Sequence, residues 1–309
     1  MIDFRTDLAD ERYEICKDEN KLDGVESIYE KISDKISVNR VIVKNEEGSR
    51  ILQKKVGNYI TINLNDVNIL EENELELMKE SLKRELDRLI NNKNNKNNKN
   101  NIIKSFLVVG LGNEDSTADS IGPKVVKNLK ITRHILKYEP ELISKETKEL
   151  CAISPGVLGT TGIETQEIIK GVIEKVNVDG IIVIDALSTN NIGRLLKTIQ
   201  ITDTGIFPGS GVENKRKEIS METMNVPVIA IGVPTVVEAA TIVANTFEIL
   251  TKKFDEFKFL KESNYNEEYR LIKMVLDPSN FNLAVMPKEI DDLVDNFKEI
   301  ISYGINKLV

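Results

Sequence analysis

The sequence predicts an α/β protein with a mostly parallel or mixed twisted sheet, helices on both faces, and a small β-rich N-terminal subregion. Apolar runs of strand length alternate with segments of helical apolar spacing over residues 102–309, which favours a sheet covered by helices. The runs at 106–109 and 181–184 are apolar without interruption, as is typical of strands buried on both faces. An aspartate follows the second run directly and the first after a Gly-rich loop. Open α/β sheets bind ligands at that edge.

The N-terminal part is expected to contain both strands and helices. Apolar residues three or four apart, at Val25, Ile28, Ile32 and Ile36, predict a short helix over 25–36. Runs rich in β-branched residues predict strands at 38–44 and 59–64, and the polar segment with Gly48 between them predicts a turn. Leucines at helical spacing predict a helix over 71–90.

Beyond residue 102 the pattern alternates regularly. The expected elements are, in order, a strand at 105–109, a helix from about 121, a short strand at 150–153, a helix at 163–176, strands at 181–184, 198–202 and 228–231, and a helix at 235–250. Residues 252–277 are mixed and charged. Pro287 is expected to open a last amphipathic helix.

Residues 91–101, NNKNNKNNKNN, contain no apolar side chain. Such a segment cannot bury anything, so it predicts a solvated linker. The linker is expected to separate two parts. The N-terminal part ends at residue 90 and contains a short β-hairpin and a helix, and residues 102–309 form an α/β core that ends in a C-terminal helix.

Composition limits the classes of function. The formal net charge is −8, which disfavours direct nucleic-acid binding over a broad surface. The chain does not open with the charged and apolar regions of a secretory signal, and the longest apolar tract, 226–244, contains two prolines and a glutamate, so no membrane span is expected. Cys16 and Cys151 lack metal-ligand spacing, and a reduced cytosolic compartment is expected.

Asp119 and Asp185 are the leading candidates for chemistry. Two carboxylates that share a proton can act as acid and base on an attacking water, because like charges held close favour one protonated and one ionised group. Each aspartate also has a simpler interpretation. Asp119 could cap the helix that begins near residue 121, and Asp185 could merely end its strand.

Three Gly-rich loops, 110–113, 154–164 and 207–216, could hold a ligand. The first resembles the opening of a dinucleotide fingerprint but lacks the third glycine, so its glycines are better explained by a sharp turn and a close approach. The second exposes Thr160 and Thr161 and could hold a peptide backbone or cap a helix. The candidate substrate-loop residues are Gly112, Asn113, Gly156, Thr160 and Thr161.

Other catalytic schemes lack parts. The single histidine, His134, has basic neighbours, and there is no G-x-S-x-G elbow for a serine nucleophile. Cys151 lies in an apolar run and is interpreted as a small buried residue. A zinc site would be nearly all carboxylate. We therefore expect no metal and no cofactor.

The candidate catalytic and substrate-loop residues lie in segments that resemble a known family. The resembling segments are FRTDLADE at 4–11, GLGNEDSTADSIGP at 110–123, SPGVLGTTGIET at 154–165, IDALST at 184–189, ITDTGIFPGSGVENKRKEIS at 201–220, VPVIAIGVPTVVEAAT at 226–241 and the KEIDDLV helix. Together they resemble the germination protease of spore-forming bacteria, an endopeptidase that degrades small acid-soluble spore proteins.

The resemblance implies an atypical aspartic-type endopeptidase whose catalytic acids are Asp119 and Asp185, with a fold similar to the hydrogenase-maturation proteases. It also implies a homotetramer in the forespore and spore core, made as a zymogen that removes its own N-terminal segment. The segment around residues 6–11 follows the family's cleavage pattern, which places the cut between Asp7 and Leu8. Residues 1–7 are then the propeptide, and 8–90 the N-terminal part.

Three features depart from the family pattern. Ala118 stands where a proline usually precedes the first catalytic aspartate, Asp10 replaces a serine of the cleavage pattern, and the Asn/Lys tract is not a family feature. Two alternatives remain at this point: a metal-sensing maturation peptidase that uses the same acids, and a non-catalytic nucleotide-binding protein built on the loop at 110–113.

Overall fold

A computed structural model describes residues 7–17, 22–65, 71–91, 103–208, 217–254, 271–272, 274–276 and 283–309. The expected linker at 91–101 lies outside these residues except for its first position, as do residues 1–6 of the expected propeptide, most of the loop at 207–216 and most of 252–277.

The described residues form one nine-stranded mixed sheet. Its strands are β1 Val25–Lys31, β2 Ile36–Val43, β3 Gly57–Leu64, β4 Ser105–Gly110, β5 Glu149–Ile153, β6 Gly180–Thr189, β7 Thr198–Thr202, β8 Val228–Glu238 and β9 Ala284–Val285. The strand order is β1-β2-β3-β7-β8-β6-β4-β5, and β9 pairs with β8. The strands β5, β4, β6 and β8 run parallel, whereas β7, β3, β2 and β1 continue the sheet by antiparallel pairing. The expected α/β class with a mixed sheet is confirmed.

Helices cover both faces of the sheet. They are α1 Ala9–Lys17, α2 Glu46–Leu52, α3 Glu72–Ile90, α4 Ile121–Lys127, α5 Arg133–Tyr138, α6 Leu158–Thr161, α7 Thr165–Val176, α8 Met221–Met224, α9 Ala239–Lys253 and α10 Ile290–Asn306. On one face, α3, α4 and α10 bury the largest apolar cluster, which contains Phe106 and Phe297. On the other face, α7 covers the parallel strands and α1 with α2 covers β2 and β3. Among the described residues, no helix is both long enough and apolar enough to cross a membrane.

The helix expected over 25–36 is wrong. Residues 25–31 form β1, which pairs antiparallel with β2 in a continuous register from Val25 opposite Val43 to Lys31 opposite Ser37. Of the four apolar positions that suggested a helix, Val25 and Ile28 lie in β1, Ile32 lies in the turn, and Ile36 begins β2, so the spacing ran across two separate strands. Pairing with a neighbouring strand decided between the two structures.

The turn expected around Gly48 is a short helix, α2. Its N-cap is Asn45, whose side chain accepts a hydrogen bond from the Gly48 N–H at 2.9 Å. The sequence therefore carried a helix-start signal, an asparagine before two glutamates, that the presence of glycine obscured.

Two strands are longer than expected. The strand β6 runs to Thr189 and β8 runs to Glu238, so the helix expected from residue 235 begins at Ala239 instead. The two strands stay paired beyond Asp185, with a register shift between Leu187 and Ser188. Asp185 therefore lies within its strand and does not end it, which corrects that expectation.

Candidate active site

Asp185 lies on β6, one residue beyond the carboxyl end of the neighbouring strand β4. The last residue of β4, Gly110, pairs with Ile184, so Asp185 is the first position of β6 that β4 leaves uncovered. Its side chain is buried, and its Oδ1 accepts a hydrogen bond from the Ala186 N–H at 3.0 Å. Asp185 can contribute to a site at this edge of the sheet because β4 ends one residue before it.

Asp119 is brought to the same edge by the loop after β4. The Leu111 N–H donates to the Ile184 carbonyl at 2.8 Å, which joins the loop to β6. The chain then returns through a 3-10 turn, Thr117–Asp119, and the Asn113 N–H donates to Asp119 Oδ2 at 2.9 Å. The N-cap position of α4 is Ser120, so Asp119 is held by its own loop and does not occupy the cap position.

Asp119 and Asp185 line one cavity of about 300 Å³. Gly112 and Gly156 line it as well, and so does Ser188 of β6. The structure therefore brings together two carboxylates that are far apart in the sequence, together with two of the five expected loop residues.

The remaining loop residues lie elsewhere. Asn113 contributes its main-chain N–H to Asp119. The hydroxyls of Thr160 and Thr161 both donate to the Val157 carbonyl, which closes the short helix α6 on itself. Of the two interpretations of this loop, the described contacts fit local capping for these two threonines.

Thr235 of β8 is a cavity residue that the sequence did not indicate. It is buried, and its hydroxyl donates to the Ala118 carbonyl at 2.6 Å, directly before Asp119. We expect Thr235→Val, which keeps the shape and removes the donor, to leave that carbonyl without this donor, to lower the free energy of unfolding by about 1–3 kcal/mol and to reduce catalytic activity. Denaturant unfolding and a cleavage assay measure both effects.

The control for this prediction is Thr246→Val. Thr246 is exposed on α9 and donates to the Ile242 carbonyl of its own helix, so its loss should change the free energy of unfolding by less than about 0.5 kcal/mol. Equal stability of the two variants would contradict a role for Thr235 in holding the turn.

Gly112 is required by the backbone of this loop. Its φ of +109° is rarely adopted by other residues, and a Cβ there would clash with the main-chain oxygen of Asp119 and stand 2.9 Å from its Oδ1. We expect Gly112→Ala to cost about 1–3 kcal/mol of stability and to displace Asp119, with a corresponding loss of activity. The control is Gly159→Ala in α6, where a Cβ meets no atom within 4 Å. If both alanine variants kept full activity and stability, the loop would not position Asp119 through Gly112.

The chain around Asp7 and Leu8 is bound on the same face of the sheet. The Ser188 N–H donates to Asp7 Oδ2 at 3.0 Å, and Leu8 is completely buried. The main-chain oxygen of Asp7 accepts hydrogen bonds from Lys54 Nζ at 2.9 Å and from Gln200 Nε2 at 3.0 Å. The bond expected to be cut is therefore held by Lys54, which follows α2, by Gln200 of β7 and by the main chain of β6.

The two acids that follow are also anchored. Asp10 Oδ2 accepts from Arg194 Nη1 at 2.6 Å, and both side chains of Asp10 and Glu11 are buried. Glu11 accepts from the Thr189 hydroxyl at 2.7 Å and from the Asn190 N–H at 3.3 Å. Residues 7–11 are thus held at nearly every position by the end of β6 and the segment that follows it.

One row of the sheet connects the two regions. Asp185 pairs with Gly232 of β8, Gly232 pairs with Gln200 of β7, and Gln200 pairs with Thr61 of β3. Residues paired across a sheet point to the same face, so Asp185 and Gln200 share the face that carries residues 7–11. Neighbouring strands are about 4.8 Å apart, which puts the two backbones about 10 Å apart with a glycine between them.

A second cavity, of about 280 Å³, adjoins the first along this row. Asp7, Lys54 and Gln200 line it, and Leu187 lines both cavities. Burial lowers the pKa of the Lys54 ammonium, against the opposing charge of Asp7, and burial raises the pKa of Tyr59 to about 12. Both shifts indicate a weakly hydrated site, where hydrogen bonds and charges act more strongly than in water.

No group of three or more His, Cys, Asp or Glu side chains within the described ranges is arranged to hold a metal ion.

Comparison with known proteins identifies the class. A family model described as Germination protease matches residues 5–265. The germination protease of Caldanaerobacter subterraneus subsp. tengcongensis is 45% identical over 314 residues, which cover 99% of this chain and 94% of that protein. The germination protease of Clostridium perfringens (strain SM101 / Type A) is 40% identical over 316 residues, covering 99% and 95%. The chain is therefore a peptidase on a mixed α/β sheet.

The match extends over almost the whole chain at an identity well above the level of chance resemblance. This chain belongs to the germination protease family. Among solved structures, a [NiFe] hydrogenase maturation protease, HycI from Thermococcus kodakarensis KOD1, is similar at a TM-score of 0.32 and 15% identity, covering 68% of this chain and 96% of that chain. A similarity at this level says nothing about the chemistry of the site.

Proposed function

We propose that this protein is the endopeptidase that begins the degradation of small acid-soluble spore proteins during germination, and that Asp119 and Asp185 activate the attacking water. The proposal includes synthesis as a zymogen that cuts itself between Asp7 and Leu8, assembly as a homotetramer, and action in the forespore and spore core. Membership of the germination protease family supports the substrate class. The observation that carries the chemistry is that both aspartates line one cavity at the open edge of β6.

The mechanism follows from the pair. One carboxylate, ionised, takes a proton from a water molecule as that water attacks the scissile carbonyl. The other, protonated, polarises the carbonyl or gives its proton to the departing amine. Two acids that share a proton titrate as a unit, so the roles belong to the pair until a probe separates them. Their loop and strand are fixed by main-chain hydrogen bonds, which keeps the cost of reorganisation low during the reaction.

The bound N-terminal segment supports the zymogen part of the proposal. Residues 7–11 follow the cleavage pattern of the family and lie on the sheet face that carries Asp185, held by Ser188, Thr189 and Arg194. A segment of the protein's own chain that occupies this surface excludes a substrate of similar sequence from it. A cut between Asp7 and Leu8 would release Asp7 from this surface, whereas residues 8–11 would stay in the product as its new N-terminus.

The test is incubation of the full chain in mildly acidic buffer, followed by intact-mass measurement and N-terminal sequencing. We expect a shortened product that begins at Leu8, and expect it to cleave a peptide containing Thr-Glu-Phe-Ala-Ser-Glu after the first glutamate. A folded chain that stays full length and leaves the peptide intact under all conditions tried would contradict the proposal. Cleavage at another position would remove the zymogen part alone.

A further inference from the structure

The main-chain oxygen of Asp7 lies between two side-chain donors that come from separate elements. Lys54 Nζ is 2.9 Å away and Gln200 Nε2 is 3.0 Å away. Lys54 follows α2, and Gln200 is in the middle of β7. Two donors that already contact one carbonyl oxygen are placed beside the atom on which negative charge develops during acyl transfer.

Gln200 also binds the main chain beyond Leu8. Its Oε1 accepts a hydrogen bond from the Ala9 N–H at 2.7 Å, while its Nε2 donates to the Asp7 oxygen. The orientation of the amide follows from these contacts, because a flipped side chain would offer a donor to the Ala9 N–H and an acceptor to a carbonyl. One buried side chain thus binds the carbonyl of Asp7 and the N–H of Ala9, on either side of Leu8.

The carbonyl of Asp7 is held on the sheet face that also carries Asp185. Gln200 and Asp185 belong to the same row of one sheet face, separated only by Gly232. A Cβ at Gly232 would clash with the side chain of Leu187. Gly232 therefore adds no side chain to the row between Asp185 and Gln200, and the side chain of Leu187 packs over it.

We propose that Lys54 and Gln200 are the donors that stabilise the oxyanion when the bond between Asp7 and Leu8 is cut. The inference rests on the proposed function and extends it. Water oxygen attacks the carbonyl carbon of Asp7, and the carbonyl electron pair moves onto the oxygen held by Lys54 and Gln200. The pair then returns, the bond to the Leu8 nitrogen breaks, and that nitrogen takes a proton. One water is consumed, and the products are a carboxyl at residue 7 and an amine at Leu8.

This assignment also gives each aspartate a separate role. A carbonyl already held by two donors does not need the protonated aspartate, so that aspartate is left to give its proton to the departing amine of Leu8. The ionised aspartate remains the base for water.

The experiment measures the rate of self-shortening of full-length variants by intact mass. Lys54→Met keeps the length and apolar stem of the side chain and removes the donor. Gln200→Glu keeps an acceptor for the Ala9 N–H and removes the donor to Asp7. Lys54→Arg restores a donor. The matched control is Lys55→Met, because Lys55 lines the same cavity but forms an ion pair with Glu218. A thermal unfolding curve is recorded for each variant.

We expect Lys54→Met and Gln200→Glu each to slow self-shortening by about 10²–10³-fold, with Lys54→Arg within about tenfold of wild type and Lys55→Met unchanged. A folded Lys54→Met that shortens at the wild-type rate would overturn the inference, and so would a Lys54→Arg that is as slow as Lys54→Met, since the side chain would then serve by shape. If Lys54→Met does not fold, Gln200→Glu and Lys54→Arg decide the same question. Failure of the proposed function gives a different result. Both proposals end if the wild type never shortens, or if the Asp185→Asn variant shortens as fast as the wild type.

Discussion

Replacing Asp185 with asparagine is expected to slow both self-shortening and peptide cleavage by about 10²–10⁴-fold while the protein stays folded. Asparagine has nearly the same shape as aspartate and can still accept the Ala186 N–H at Oδ1. It cannot take a proton from water or hold a proton that is shared with Asp119. The same loss is expected for Asp119→Asn, whose amide can still accept the Asn113 N–H. Single-turnover self-shortening and steady-state peptide cleavage measure the two activities.

The double variant distinguishes a pair from two independent groups. Residues that act as a unit are strongly non-additive, so the double variant should be no slower than the slower single variant. Asp115→Asn is the control, because Asp115 is exposed in the same loop and its described contact, from its N–H to Asn113 Oδ1, is a main-chain one. Undiminished activity in both single variants would remove the aspartate mechanism, whereas loss in one alone would leave a single carboxylate as the base.

Removal of Glu85 is expected to have the largest effect on stability. Glu85 of α3 is completely buried, and its carboxylate accepts from Arg40 Nε at 2.8 Å and from Arg40 Nη2 at 2.5 Å. Hydrogen bonding to Glu85, and then to Glu30, raises the pKa of Arg40 above its usual value despite burial. Glu85→Ala would leave the buried guanidinium with only part of its compensation. The expected cost is about 3–5 kcal/mol of unfolding free energy.

Denaturant unfolding of Glu85→Ala against Glu76→Ala tests this expectation. Glu76 is on the same helix, is exposed, and forms an ion pair with Lys79 at 2.7 Å, so its loss should cost less than about 0.5 kcal/mol. A second variant, Arg40→Met with Glu85→Leu, replaces the whole pair by apolar side chains, and recovery of stability there would show that the cost arises from the unpaired charge. If Glu85→Ala is as stable as Glu76→Ala, the pair does not join α3 to β2.

The sequence predicted the core strands better than the N-terminal ones. The strand at 105–109 is present as β4, because the apolar run at 106–109 has few alternatives once both faces are buried. The strand at 198–202 is present as β7, where apolar and polar residues alternate. The segment 25–31 was expected to be helical and forms β1 at the edge of the sheet. An edge strand has a single neighbour, and the hydrogen bonds that stabilise β1 come from β2, which no local pattern in residues 25–31 contains.

Some residues of the candidate site were indicated by the sequence, and others were recognised only in the structure. Acidic side chains after apolar runs, with glycines between them, indicated Asp119, Asp185 and Gly112 from the sequence. Thr235 was missed because residue 235 was expected to begin a helix and instead lies in β8. Gln200 was missed because it lies in a strand whose pattern is explained by burial alone. Their contacts are made with other segments: Thr235 with the Ala118 carbonyl, and Gln200 with the Asp7 carbonyl. The register of β6, β8 and β7 decides that Asp185 and Gln200 share a row.

By itself, the sequence determined the α/β class, and it indicated two candidate acids and the loop glycines, because each of these depends on local periodicity or on the chemistry of single residues. Tertiary structure alone decided that Asp119 meets Asp185 in one cavity and that Lys54 and Gln200 meet the carbonyl of Asp7. Contacts between residues about 190 positions apart, such as that of Gln200 with Asp7, follow from the order and register of strands. That order is fixed by burial summed over the whole sheet, which no local segment encodes.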